Sequence, residues 1–427
     1  MHGFLPEWPL VPPLLLWAAL ALVAAAVLGE FAFSRLRLPR ITGYVLAGLV
    51  VGALGAGDVV RAALASGSGW ASIVVELALG VLLFQLGNRV NLGWLRANPW
   101  LLVTSLLEAA LTFGAVYVVL RATGVAFDEA LLVAAIAMAT APAIVMRVVV
   151  EARAQGQVSD RLLLLSALNS IYTVLAVQFI IGWLHQSYRG DPLSAVLHPV
   201  YLVAGAVLAG ALIAWLMRSL RTRLLLDSEQ AGAVLIGLVL AAVVLLKMLK
   251  LPVLLALLLA GLLVRRFSGR PYVWPRDLNP VTGLLVLMLF VLTGVSVEFT
   301  HLAAGGAIAL LLIAVRLLAK TAAVMVLARP SGASWRQGLA LGIALTPMSG
   351  VAFVLSYDLI AVFPELAPRL AATVLAMIAL LELVGPIVVR WLLDWTDETA
   401  EELRREMPHT AIPAVRPRPD TASGAKS

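Results

Sequence analysis

The segment LRLPRITGYVLAGLVVG, residues 36–52, returns later in the chain as LKLPVLLALLLAGLLVR, residues 249–265. The two align without a gap on the skeleton L-x-L-P, six residues, then L-A-G-L-x-V. Leu and Ala match easily by chance in an apolar chain, so the Pro39/Pro252 and Gly48/Gly261 matches carry the weight. A second match follows in the same order. LLFQLGNRVNLGWL (82–95) lies over LFVLTGVSVEFTHL (289–302), sharing Gly87 with Gly294 and Val90 with Val297. A third sets Thr140-Ala141-Pro142 against Thr346-Pro347-Met348-Ser349-Gly350. Each places a Thr and a Pro in the middle of an apolar segment.

The composition says what kind of unit is duplicated. Of 427 residues, 62% are hydrophobic and 13% are charged, with a mean hydropathy of +0.99. A soluble domain carries about 45–50% apolar and about 25% charged residues. Runs of 18 or more nearly uncharged residues recur, each long enough to cross a hydrocarbon core of roughly 30 Å as a helix. The spans fall near 11–33, 41–57, 70–88, 99–120, 129–150, 161–184, 194–217, 229–248, 252–267, 280–298, 303–328, 335–358 and 366–392. The fold class is therefore an all-α polytopic membrane protein with about thirteen transmembrane helices.

The basic residues orient it. Arg35, Arg37 and Arg40 follow the first span, Arg218, Arg221 and Arg223 the seventh, and Arg265, Arg266, Arg270 and Arg276 the ninth. The opposite loops hold few cations, such as Arg61, Arg121 and Arg189. The positive-inside rule then puts the N-terminus outside and the C-terminus in the cytoplasm. Corresponding spans are an odd number apart, so the two copies cross the membrane in opposite directions. The expected plan is a 6+1+6 inverted repeat over residues 1–395, with repeat one about 11–184, a linker helix about 194–217 and repeat two about 229–392. Residues 396–427, ending IPAVRPRPDTASGAKS, read as a short disordered cytoplasmic tail.

Several function classes fall away. The net charge of +7 and pI near 10.0 reflect loop cations, not a nucleic-acid surface. With no cysteine there is no disulfide, thiol chemistry or cysteine metal site. None of the five histidines stands at zinc spacing with a Glu, and Ser349-Gly350 lacks a histidine partner. No phosphate-cradling glycine motif is present, so an ATP-driven pump is not indicated. No enzyme activity and no cofactor is expected. Trp17, Trp70, Trp94, Trp100, Trp183, Trp391 and Trp395 cluster near span ends as an interfacial belt.

Inverted repeats with helix breakers at matching places point to the midplane site of a secondary transporter. A lone proline kink is tolerated in a membrane helix. A matched pair frees backbone carbonyls and helix ends where two broken helices meet. Ionisable side chains deep in spans are the other candidates, since each costs at least about 2.5–3.5 kcal/mol to insert. Lys320 lies deep in the eleventh span, with Arg316 one turn earlier on the same face. Glu382 stands in the thirteenth span, Glu76 in the third and Glu108 in the fourth. Glu382 is the leading acid for proton chemistry, with a salt bridge to Lys320 or Arg316 as the competing role. Glu76 and Glu108 are each open to pairing with an arginine at a helix interface. Arg147 reads as a structural anchor.

In order along the chain, LPRITGYVLAGLVVG, ELALGVLLFQLG (76–87), ATAPAIVMRVVVEARAQGQVSDRLLLLSALNS (139–170), FVLTGVSVEF (290–299), RLLAK (316–320), LTPMSG (345–350) and ELVGP (382–386) resemble the sodium/hydrogen exchanger membrane domain of the monovalent cation:proton antiporter superfamily. The resemblance covers residues 11 to 392. It implies two crossing broken helices, exchange of sodium or potassium against protons by alternating access, a bacterial inner membrane and a homodimer. It also implies a site lined by Thr140, Pro142, Asn169, Ser170, Thr346, Pro347 and Lys320, with Glu382, Glu76 or Arg316 as proton carrier or charge partner. One departure stands out. Where the family carries an Asp pair or Asn-Asp, this chain reads Asn169-Ser170, and where it often carries Thr-Asp, this chain reads Thr140-Ala141. Asn and Ser have no proton to exchange, though their oxygens can still ligate a cation. Transport of an anion or neutral solute by the same fold, or a transport-inactive scaffold, therefore stays open at this point. The partners expected are monovalent cations, protons and membrane lipid.

Overall fold

A computed structural model of the chain describes residues 14–65, 69–189, 192–223, 228–268, 278–348, 350–362 and 367–399. The described residues are helical, with short connections. In chain order the helices are α1 (Leu14–Leu36), α2 (Arg40–Val51), α3 (Gly57–Ala65), α4 (Trp70–Arg89), α5 (Leu92–Ala97), α6 (Pro99–Ala122), α7 (Phe127–Ala137), α8 (Pro142–Ala152) and α9 (Gln157–Arg189). They continue as α10 (Pro192–Arg223), α11 (Ser228–Met248), α12 (Val253–Ser268), α13 (Leu278–Val295), α14 (Phe299–Val326), α15 (Trp335–Ala344), α16 (Val351–Val362) and α17 (Ala367–Trp395). Among the described residues, nine helical stretches are long and apolar enough to cross a membrane, and the chain is a multi-pass membrane protein.

Two helix groups form. One packs α1 on α2, α2 on α13, and α4 on both α12 and α13, with α10 against α12. The other packs α14 on α6, α15 and α17, with α7 on α6 and α9. The matched glycines sit at the tightest approaches of the first group. A Cβ on Gly48 would lie 2.4 Å from Val291 O and 3.0 Å from Gly294 Cα. A Cβ on Gly261 would lie 2.1 Å from Phe84 O, and one on Gly87 would lie 2.4 Å from Leu258 O. Without a hydrophobic drive between helices in lipid, small residues that let backbones touch are what hold such crossings together. The pairing is reciprocal between the matched segments: Gly48 meets Gly294, and Gly261 meets Gly87. The backbone repeats as well. Arg37 (φ 57°) and Lys250 (φ 53°) occupy the same place in the aligned segments and share a left-handed conformation that ends the preceding helix.

Two expectations need correction. The second span is not one helix to residue 57. It ends its α-helical part at Val51, passes through a π-helical turn at Gly52–Ala56 with Gly55 at φ 117°, and resumes as α3. Nor is the tail detached from residue 396 onward. Glu398 and Thr399 are buried, and the Glu398 carboxylate accepts from the N–H groups of Val158 (2.6 Å) and Ser159 (2.7 Å). These are orphan donors of the first turn of α9, which a carboxylate suits. The rest of the tail and Ser349 lie outside the described residues.

Candidate ion-binding site at the helix crossover

Proline sets both breaks. It lacks an N–H and disfavours helical backbone in the residue before it, so Pro142 opens α8 and Pro347 prevents α15 from running on. The extended segments left between α7 and α8, and between α15 and α16, cross and bond. Ala141 N–H donates to Pro347 O at 2.8 Å, and Thr140 Oγ1 donates to Leu345 O at 2.9 Å. Carbonyls freed at this depth find no water and must be paired within the protein. Arg316 takes three of them. Its Nε donates to Ala137 O (2.7 Å), Nη1 to Thr346 O (2.9 Å) and Nη2 to Ala139 O (2.7 Å). Its cationic fork thus covers the end of α7, the negative end of the helix dipole.

Lys320, one turn further along α14, donates to Met138 O (3.1 Å) and Thr140 Oγ1 (3.3 Å). It also makes a hydrogen-bonded ion pair with Glu108 Oε1 of α6, and both side chains are 0% exposed. Glu382 is buried in α17 and accepts from Thr293 Oγ1 of α13 at 2.9 Å. Glu76 pairs with Lys247 at 2.5 Å where α4 meets α11. The leading acid of the sequence reading is therefore not the one bonded to Lys320. Glu108 is, and its expected arginine is a lysine. The rule that flags any charge deep in a span also flags Glu108. Nothing in the sequence ranks it above Glu382, because the ranking depends on which way each helix is turned.

Asn169 of α9 donates from Nδ2 to Thr140 Oγ1 at 3.0 Å. The single Thr140 hydroxyl proton is committed to Leu345 O, so that oxygen must accept from both Asn169 and Lys320. This fixes the Asn169 amide and leaves its Oδ1 buried without a hydrogen-bond partner. Glu108 Oε2, Thr346 Oγ1 and Thr173 Oγ1, one turn beyond Asn169, are in the same condition. Uncovered oxygens of this kind, two of them on Asn169 and Glu108 of the bonded network, are what a hard monovalent cation would use. Ser170 is not part of it. Adjacent helix residues point about 100° apart, and the Ser170 hydroxyl turns back to Ser166 O of its own helix at 2.9 Å.

A cavity of about 990 Å³ opens between the two helix groups, walled by α4 and α13 on one side and α8 and α9 on the other. Its lining includes Met146 and Leu163, which on their helices stand roughly 6 Å from Pro142 and roughly 9 Å from Asn169. A separate pocket of about 40 Å³ lies at α3, α4 and α16.

Two crossed broken helices, a cation seated on their carbonyls and a deep cavity on one side define the membrane domain of a secondary transporter. The sodium/hydrogen exchanger transmembrane family matches residues 18–395, and the chain belongs to that family of antiporters. Among solved structures it is similar to the sodium proton antiporter MjNhaP1 from Methanocaldococcus jannaschii at pH 8, with a TM-score of 0.67 and 18% identity over 92% of this chain and 98% of that one. An electron-microscopy structure of the same antiporter gives 0.62 and 17% over the same shares. At such identity the likeness is one of fold. No curated protein sequence matches.

Proposed function

We propose that this chain exchanges a monovalent cation, sodium or potassium, for protons by alternating access, with Glu108 and Lys320 in place of the aspartates absent at 169 and 170. The observation that carries this reading is the buried Glu108–Lys320 pair bonded to Thr140 at the helix break. Exchange at a single site needs a carboxylate that a cation and a protonated partner hold by turns. Here the cation would be held by Glu108, Asn169 Oδ1 and Thr346 Oγ1, taking the carboxylate from Lys320. An ammonium left in the membrane interior without its counter-charge is expensive, so its proton departs. One cation enters as one proton leaves. Arg316, committed to three carbonyls, holds the crossover in shape throughout.

A carboxylate at this network favours a cation over an anion or a neutral solute. The reciprocal glycine contacts and the matched breaks support the 6+1+6 inverted repeat, with α6–α9 and α14–α17 moving against the remaining helices. We infer a homodimer in a bacterial inner membrane, its C-terminus cytoplasmic, so that the large cavity faces the cytoplasm.

The test is flux in proteoliposomes loaded with a pH-sensitive dye under an imposed proton gradient. Sodium, potassium, lithium or choline salts are added in turn. At least one alkali cation is expected to dissipate the gradient, with Glu108→Gln abolishing the response and Glu76→Gln sparing it. If no alkali cation moves protons at any pH, the reading fails.

A further inference from the structure

The large cavity is lined by three guanidinium groups and one carboxylate: Arg89, Arg147, Arg153 and Asp160. Their formal charges leave an excess of two positive charges, the wrong sign for gathering cations. Membrane topology accounts for basic residues at this end of the spans. It does not require them to line one cavity from opposite walls, as Arg89 does from α4 and Arg147 and Arg153 do from α8 and its C-terminus. The nearby carboxylate of Glu151 faces both Arg40 and Arg147, so the uncompensated charge rests on Arg89 and Arg153. Glu151 accepts from the Arg40 N–H at 3.1 Å and lies 3.6 Å from the Arg40 guanidinium. Among described residues, the side chains of Arg89 and Arg153 have no hydrogen-bond or ion-pair partner. Arg147 Nε is buried and lacks an acceptor. Gln85, Gln155 and Thr282 add neutral polar groups to the wall.

We propose that this cavity is a binding site for a phosphate-bearing anion, held between Arg89 of one helix group and Arg147 and Arg153 of the other. Planar guanidinium forks match phosphate oxygens in pairs. The volume of about 990 Å³ far exceeds that of a single hydrated ion and lies at the upper end for organic ligands. Because the two walls belong to different helix groups, the bound anion ties them together in the form with this cavity open. The phosphate can come from an anionic lipid headgroup entering between the groups, or from a soluble phosphate ester.

The test measures thermal unfolding of the purified full-length protein by tryptophan fluorescence, so it does not depend on transport. One arm titrates pyrophosphate against chloride at matched ionic strength in detergent. The other compares phosphatidylcholine nanodiscs with and without phosphatidylglycerol. The expected result is a rise in Tm in at least one arm, with apparent affinity weakened about tenfold or more in an Arg89→Gln/Arg153→Gln variant, which loses two of the three guanidinium forks. Both residues are solvent-exposed, so the variant is expected to keep its ligand-free Tm. A response to pyrophosphate alone identifies a soluble ligand, and a response to phosphatidylglycerol alone identifies a headgroup. No rise beyond chloride in either arm, or an equal rise in the variant, overturns the proposal.

Discussion

Lys320 of α14 and Glu108 of α6, 212 residues apart in sequence, form an ion pair from which solvent is wholly excluded. Removing one member of a buried pair leaves an uncompensated charge and costs about 3–5 kcal/mol. Glu108→Gln is therefore expected to lower Tm markedly and to abolish exchange. The double variant Glu108→Leu with Lys320→Met removes both charges and is expected to recover most of the lost Tm while staying inactive in the flux assay. Recovery of transport in that variant would show that the pair is structural only.

Asn169→Asp places an acid beside Thr140, where the chain has only an amide. It adds a second group able to carry a proton against the cation. The expected outcome is an exchange that responds to membrane potential, because more than one proton then moves per cation. Flux under a potassium-diffusion potential checks this: the native protein is expected to be insensitive and the variant sensitive.

Arg316→Ala leaves Ala137 O, Ala139 O and Thr346 O without their donor. A buried unsatisfied group costs about 1–3 kcal/mol, and there are three. The variant is expected not to survive extraction as a single species on size-exclusion chromatography. Arg316→Lys, which lacks the fork, is expected to fall between it and the native protein.

Gly261→Val drives a side chain into the Phe84 carbonyl at the α4–α12 crossing. A loss of Tm is expected, because backbone cannot yield there as a flexible side chain would. Gly114→Ala on α6 meets nothing within 4 Å and is expected to leave Tm unchanged or slightly higher, given alanine's greater helix propensity. The two melting curves, side by side, separate packing from propensity.

Glu398→Ala removes the acceptor for the first turn of α9. Losing a helix N-terminal cap costs about 0.5–2 kcal/mol, and a modest fall in Tm is expected with exchange retained. Limited proteolysis is expected to cut the variant earlier than the native protein near residue 398.

The spans, the two breaks and the matched segments were legible because each rests on local chemistry. Uncharged runs must be long enough to cross lipid, a Thr-Pro pair matched in two segments marks a break where Pro199 and Pro386 stay within helices, and the Pro39/Pro252 and Gly48/Gly261 matches need no knowledge of neighbours. The family resemblance implied a site of Thr140, Pro142, Thr346, Pro347, Asn169 and Lys320, and the structure brings all six to the crossover. Ser170 was not separable from Asn169 in sequence, since only the turn of α9 decides which of two adjacent side chains faces the break.

The sequence by itself determined a membrane-embedded chain with matching segments, two helix breaks, and Asn169-Ser170 where the family resemblance implies aspartates. It also supplied a short roster of buried acids: Glu76, Glu108 and Glu382. Only the tertiary structure decided among them, giving Glu76 to Lys247, Glu382 to Thr293 and Glu108 to Lys320. The physical reason is that a charge buried in lipid must be paired, which composition reveals. The identity of its partner depends on the rotation and crossing of separate helices, which no single segment encodes.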